Sequence, residues 1–183
     1  MDKLQNEVIE DLYSKITFVG TSLREVYVNL MTAEKQNDSK YAGMSSGITQ
    51  HLENAANDIL NSGISGVTYA FWELHLAVEK AIKSILIQHG SNSHHHHELE
   101  KLFKKAKENY GVYIEHNVLS NLPTSKEANQ YRYGEIDGTT TEYAISVYMD
   151  VLKLVSSTTK ALKRKIVMNN ASFLIQRPPW QRK

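Results

Sequence analysis

The sequence predicts an all-α, up-and-down bundle of four to five main helices, and three observations carry that prediction. Apolar residues recur at steps of 3 and 4 along most of the chain, the spacing that builds one helix face. Proline is absent before position 123. No motif region shows the alternation expected of a half-buried strand. With 183 residues, 41% of them hydrophobic, the chain is sized for one domain with a substantial core. The expected organisation is one helical domain over 1–170 and a basic tail over 171–183.

Residues 2–35 read as one long helix, in which Leu4, Val8, Leu12, Ile16, Val19, Leu23, Val26 and Leu30 share a face and Gly20 marks a bend or a close crossing. Residues 37–47 read as a polar turn. Ile48, Leu52, Ala55, Ala56, Ile59 and Leu60 build a second amphipathic helix that stops at Asn61-Ser62-Gly63. Residues 64–89 are the most apolar: Val67, Phe71, Leu74, Val78, Ala81 and Ile85 keep the helical step, and Trp72, Leu76 and Ile87 widen the apolar surface. This segment is the predicted central helix, broken at Gly90. A helix over about 97–109 turns Leu99, Leu102, Phe103 and Ala106 inward. From 110 to 141, Gly111, Pro123, Gly134 and Gly138 leave room for short helical pieces only. The last helix starts near Thr140, with Thr139 to Thr141 available as caps, and heptad-like spacing through Tyr148, Leu152, Leu162 and Ile166 carries it to about 170. Phe173, Leu174, Ile175 and Trp180 make the tail apolar enough to dock on the bundle or on a partner.

Composition excludes several classes. Without Cys there is no disulfide framework, thiol nucleophile or thiolate zinc site. No apolar run approaches the roughly 20 residues of a membrane span, and the polar start is unlike a signal peptide, so a cytoplasmic protein without a membrane partner is expected. The net charge of +1 hides an asymmetry: residues 1–150 carry a net −7, whereas 151–183 carry eight basic residues and no acid. Lys160, Lys163, Arg164, Lys165, Arg177, Arg182 and Lys183 therefore form a candidate patch for nucleic acid or an acidic partner. A solvated helix end whose cations complement the dipole accounts for part of the same run.

Three clusters bear on chemistry. In His94-His95-His96-His97, His94 and His97 share a helical face and are conceivable metal ligands; a site would need ligands from other helices, for which His75 and Glu79, one turn apart on the central helix, are the only tidy supplement, and no native metal or other cofactor is expected. Glu79 and Lys83 stand i, i+4 on the central helix, in the favourable order for an ion pair. Set in an apolar helix, they must meet a partner or a wet groove. Residues 129–135 form the densest polar-aromatic cluster, with Arg132 flanked by Tyr131 and Tyr133: guanidinium plus aromatic faces can hold phosphate and a stacked base, or anchor a turn. No phosphate loop, HExxH or GxSxG motif occurs.

Three of these pieces, in this order, resemble the HEPN family (higher eukaryotes and prokaryotes nucleotide-binding domain). Glu79-Lys80-Ala81-Ile82-Lys83 matches its Glu-x-x-x-Lys helix. His97-Glu98-Leu99-Glu100-Lys101-Leu102 matches its His-(Asp/Glu)-Leu-x-x-Leu helix start, and Tyr131-Arg132-Tyr133-Gly134 its Arg-Tyr turn. The likeness covers roughly 66–155, with 1–62 as an added helical pair. It implies a helical bundle that dimerises through its central helices. Some members are RNA-cleaving toxins or defence effectors; others are non-catalytic companions of nucleotidyltransferases. The ribonuclease members use Arg, four to six residues, then His. That motif is absent here, because no His follows Arg132 and all eight His lie at or before His116.

The expected function is therefore a non-catalytic, homodimeric module that binds a nucleotide, RNA or a nucleotidyltransferase-type partner, in a defence or toxin-antitoxin setting. Glu79, Lys83, Tyr131, Arg132 and Tyr133 are its ligand-binding candidates. One alternative is a divergent metal-independent RNA endonuclease with His97 and Arg132 as catalytic residues. The other is a helical protein-interaction scaffold.

Overall fold

The computed structural model describes residues 3–33, 39–61, 63–91, 97–110, 119–136, 140–168 and 171–175. Among them are six helices: α1 (Lys3–Thr32), α2 (Ser39–Asn61), α3 (Gly63–Gln88), α4 (Leu99–Tyr110), α5 (Ser125–Arg132) and α6 (Thr141–Thr159). A two-stranded antiparallel hairpin follows, β1 (Arg164–Met168) and β2 (Ala171–Ile175), with Ile166 opposite Phe173. The predicted all-α bundle is what forms, and no helix among the described residues is long and apolar enough to cross a membrane.

Helix α3 is the centre, packed by α2, α6, α5 and α4. Its buried residues surround the axis: Phe71, Leu74, Val78, Ile82 and Ile85 make one stripe, and Ala77, Lys83, Ser84 and Ile87 on the other sides are buried as well. Gly90, at φ 73°, ends the helix in a Schellman turn, with Ser91 N–H donating to the Leu86 carbonyl and Gly90 N–H to that of Ile87. Beyond it, the Gln88 side chain donates to the Lys163 carbonyl at 2.8 Å and accepts from the Lys163 amide at 2.6 Å, tying the chain after α6 to the end of α3.

Two boundaries differ from expectation. Residues 39–47 continue α2 as helix and do not form a polar turn. Gly47 suits this position because a Cβ there would collide with the Lys80 side chain that crosses from α3. The final helix stops at Thr159, short of about 170, and 164–175 is the hairpin. The cause lies in Ser156-Ser157-Thr158-Thr159. Ser157 donates to the Leu154 carbonyl and Thr159 to that of Ser156, local bonds that compete with helix continuation. The β-branched run that follows then pairs as strand.

Helix α1 divides into two halves. Toward its C-terminal end, Val26 and Asn29 are buried, Glu25 accepts from Ser156 at 2.5 Å and pairs with Lys160 at 2.8 Å, and Asn29 donates to Thr159. Toward its N-terminal end, residues 6–17 are exposed throughout.

Candidate functional site

The site region lies on the side of α3 that faces α4 and α5. Helix α5 is placed by its own sequence: Thr124 caps it, the Thr124 hydroxyl accepting from the Glu127 amide while the Glu127 carboxylate accepts from the Thr124 amide at 2.8 Å. This capping box holds the Glu127 carboxyl below its ordinary value, chiefly through the Thr124 backbone amide. Gly134, at φ 65°, closes the other end in a second Schellman turn, Glu135 N–H donating to the Gln130 carbonyl. Pro123 and Ser125 fasten the segment to its neighbours, for His75 Nδ1 donates to the Pro123 carbonyl at 2.9 Å and Ser125 to the His97 carbonyl at 2.6 Å.

Glu79 is the hub of the first cluster. Its carboxylate accepts from Lys83 Nζ at 2.7 Å and meets His97 Nδ1 at 3.1 Å, both on Oε1, while His75 Nε2 faces Oε2 at 3.6 Å. Glu79 is 7% exposed and Lys83 2%. Burial pushes the Glu79 carboxyl up, but the close approach of His75, the hydrogen bond and charge of Lys83 and the neighbouring His97 outweigh it, and hold it at about 2. Glu79 is thus a permanent anion at neutral pH. His97 is different: its side chain is 70% exposed, so it joins the buried pair to solvent.

Arg132, Trp72 and Tyr133 make the second cluster. The Arg132 guanidinium lies 5.1 Å from the Trp72 ring centre and 5.6 Å from that of Tyr133. Arg132 is exposed, and among the described residues it has no carboxylate partner. Tyr133 is 68% exposed. Tyr131 turns the other way and stacks on Phe71 at 5.1 Å, joining the core.

The two clusters are separate. Glu79 stands seven residues beyond Trp72 on α3, a rise of roughly 10 Å. No hydrogen bond or ion pair among the described residues links Arg132 to Glu79, Lys83 or His97. Sequence reasoning grouped Glu79, Lys83, Tyr131, Arg132 and Tyr133 as one candidate site and passed over Trp72 as a core residue. His75, one turn from Glu79, was expected only as a supplementary metal ligand; the structure sets it beside Glu79 within the buried cluster.

The remaining candidates are dispersed. His94 lies outside the described residues, and among those described no group of three or more His, Cys, Asp or Glu could hold a metal ion. In the basic segment, Lys160 is paired with Glu25, and Arg164 donates to Asn29 at 3.2 Å. Lys163 is half-buried beside Gln88, and Lys165 is exposed. Arg177, Arg182 and Lys183 lie outside the described residues.

A second imidazole-carboxylate pair, unforeseen in the sequence, joins α2 to α3. His51 Nδ1 meets Glu73 at 2.6 Å and Asn54 donates to the same oxygen at 3.2 Å, while His51 Nε2 is buried without a partner. Burial raises Glu73, but the His51 and Asn54 bonds win and leave its carboxyl below the ordinary value.

Comparison with known proteins adds one positive finding. The family model described as HEPN domain matches residues 50–161, from the middle of α2 through the end of α6. No curated protein and no solved structure matches the chain.

Proposed function

The chain belongs to the HEPN domain family, and from that premise we propose that it is a non-catalytic module that binds RNA, or a nucleotide as its smallest unit, through Arg132. Family membership points to a nucleotide- or RNA-related role. The observation that carries the finer reading is the contrast in charge satisfaction. Glu79 and Lys83 neutralise each other below the surface, whereas Arg132 lies over the Trp72 ring, exposed, with no carboxylate among the described residues to neutralise it. A guanidinium with a free edge takes phosphate oxygens, and the exposed Tyr133 ring beside it offers a face for a base. In this reading Glu79 and Lys83 keep α3, His97 and α5 in register and Tyr131 anchors the turn, so the five candidate residues divide into frame and contact. The absence of the Arg-x4–6-His motif supports a role without cleavage. The module acts as a homodimer, and a nucleotidyltransferase in a toxin-antitoxin or defence system is its partner of choice.

Labelled single-stranded and structured RNAs, titrated in EDTA at low and moderate salt, test this on paired native and denaturing gels. The expected result is a salt-sensitive shift with intact RNA, lost in Arg132→Ala. An unchanged shift in that variant would remove Arg132 from the site.

The endonuclease reading is favoured by one observation: His97 is exposed and has its Nδ1 oriented by a carboxylate, the arrangement of a general base. Against it stands the offset of two helical turns between Glu79, which holds His97, and Trp72, which holds Arg132. EDTA-resistant cleavage lost in both His97→Ala and Arg132→Ala would favour the endonuclease.

A further inference from the structure

Helix α3 is enclosed all round toward its C-terminal end and opens on one side nearer its start. From 66 to 88 Tyr69 alone is exposed, and Trp72, Glu73, Leu76 and Lys80 alone are half-buried. Successive residues turn by about 100°, which places these five within a little over a quarter of the helix circumference. They make one continuous strip that rises roughly 16 Å from Tyr69 to Lys80. The strip closes beyond Lys80, where Lys83 and Ile87 on the same side are buried. Trp72 and Glu73 are its two edges. Arg132, at the end of α5, lies against the Trp72 edge. Helix α2 lies against the other, where His51 and Asn54 meet Glu73 and Gly47 lies under the Lys80 side chain.

Two cations on this strip lack an ion pair among the described residues. Arg132 is the first. Lys80 is the second, for its charge reaches Glu73 without pairing with it. Glycine weakens a helix interior, yet Gly47 stands in the middle of α2, and a Cβ there would occupy the place of the Lys80 ammonium. Aromatic faces accompany both cations. Tyr133 stands beside Arg132, and Tyr69, 45% exposed, stands one turn before Trp72 on the same strip.

Two carboxylates fix the polarity. Glu73 turns to α2, where His51 and Asn54 meet the same oxygen. Helix α2 runs antiparallel to α3, with Gly47 at Lys80 and Asn54 at Glu73, so Asp58 stands level with Tyr69. Burial and the nearby Glu73 charge push the Asp58 carboxyl up, in keeping with that position. The Tyr69 end thus offers a ring and repels a phosphate, while the Lys80 end offers a cation. Rings and cations along one narrow floor suit a strand whose bases are splayed from its backbone. A duplex keeps its bases stacked on one another and has no free face for Tyr69.

We propose that the open strip of α3 is a track for single-stranded RNA, on which Tyr69 stacks a base and Lys80 takes a second phosphate beyond the one at Arg132. This track rests on the Arg132 reading above and gives it a substrate class: a single strand of several nucleotides, in preference to a duplex or a lone nucleotide.

Oligoadenylates of two and six nucleotides and a twelve-base-pair RNA duplex, each competing with a labelled hexamer for the full-length protein, test it. The hexamer is expected to bind at least tenfold more tightly than the dinucleotide or the duplex. Lys80→Gln should leave the dinucleotide affinity unchanged and weaken the hexamer about fivefold. It should also lower the salt slope by about 0.7, the value for one phosphate contact on a single strand. Tyr69→Ala should weaken the hexamer about five- to tenfold at an unchanged slope, and Tyr69→Phe should bind like the wild type. All three variants should remain folded and sediment like the wild type. Wild-type affinity for the hexamer in either Lys80→Gln or Tyr69→Ala overturns the track, as does a duplex or a hexaglutamate that competes as well as the hexamer. A changed sedimentation in Tyr69→Ala would assign the strip to a second copy of the chain and overturns it too. If Arg132→Ala loses binding and the other variants do not, the track falls and the Arg132 site stands. If the wild type binds no oligonucleotide, both fall.

Discussion

Glu79 on the central helix and Arg132 at the end of α5, which meets that helix at Trp72, have surroundings that give them opposite tasks. Around Glu79 every charge has an answer: Lys83 at 2.7 Å, His97 at 3.1 Å and His75 at 3.6 Å, most of it shut away from water. Around Arg132 the guanidinium rests on Trp72 and Tyr133 and faces solvent. A buried, balanced pair positions its neighbours and has little left to offer a ligand. An exposed cation on an aromatic shelf contributes little to the fold and retains its electrostatic attraction for a phosphate. Burial and charge satisfaction, not residue type, separate frame from contact.

That contrast can be broken most severely from the buried side. Glu79→Ala leaves Lys83 charged and without its carboxylate in the interior, which costs about 3–5 kcal/mol and lowers the melting temperature by roughly 10 °C. Replacing both members by Leu and Met should cost much less, because no uncompensated charge remains. A thermal melt of the single and double variants checks both, and a double variant as unstable as the single one would contradict the pairing.

Acid should reach the same cluster. The Glu79 carboxyl titrates at about 2 in the folded chain against an ordinary value of 4.5. A depressed carboxyl stabilises above its unfolded value, so its contribution, on the order of 3 kcal/mol, is present above about pH 4.5 and is lost as pH falls toward 2. Denaturant melts between pH 6 and 3 should show that loss, and Glu79→Gln should flatten it.

On the exposed side the expected effects fall on affinity alone. Tyr133→Ala should weaken RNA binding about five- to tenfold, the lower part of the range for one stacked base, with the melting temperature unchanged. The smallest effect belongs to the half-exposed Glu25–Lys160 pair. Glu25→Gln should cost under about 1 kcal/mol, because solvent screens that pair and Ser156 retains an acceptor. A melt that moved by more would make the α1–α6 clamp a larger part of the fold than its exposure allows.

Much of the frame was legible in the sequence because helical period is a local property. The segment predicted over 64–89 is α3 at Gly63–Gln88, and of the three cap candidates Thr139 to Thr141 it is Thr140 that caps α6. Helix α5 announced itself only through Thr124 and Glu127, three residues apart, a signal masked by the surrounding Gly and Pro. The hairpin was missed because Leu162 and Ile166 continue the heptad spacing of α6 while the Ser-Thr run before them ends the helix. At the site, the Glu79–Lys83 pair was readable from i, i+4 spacing. The shelf under Arg132 was not: Trp72 lies 60 residues away and meets Arg132 only through tertiary packing. The same is true of Glu73 with His51, which only the α2–α3 contact brings together.

The most direct test of the central claim is a fluorescence titration of one labelled single-stranded RNA against wild type and Arg132→Ala, with thermal melts of both proteins. Frame and contact being separate, Arg132→Ala should lose at least tenfold in affinity and keep the wild-type melting temperature. Equal affinity for the two proteins, or a melting temperature that falls together with the affinity, would contradict it.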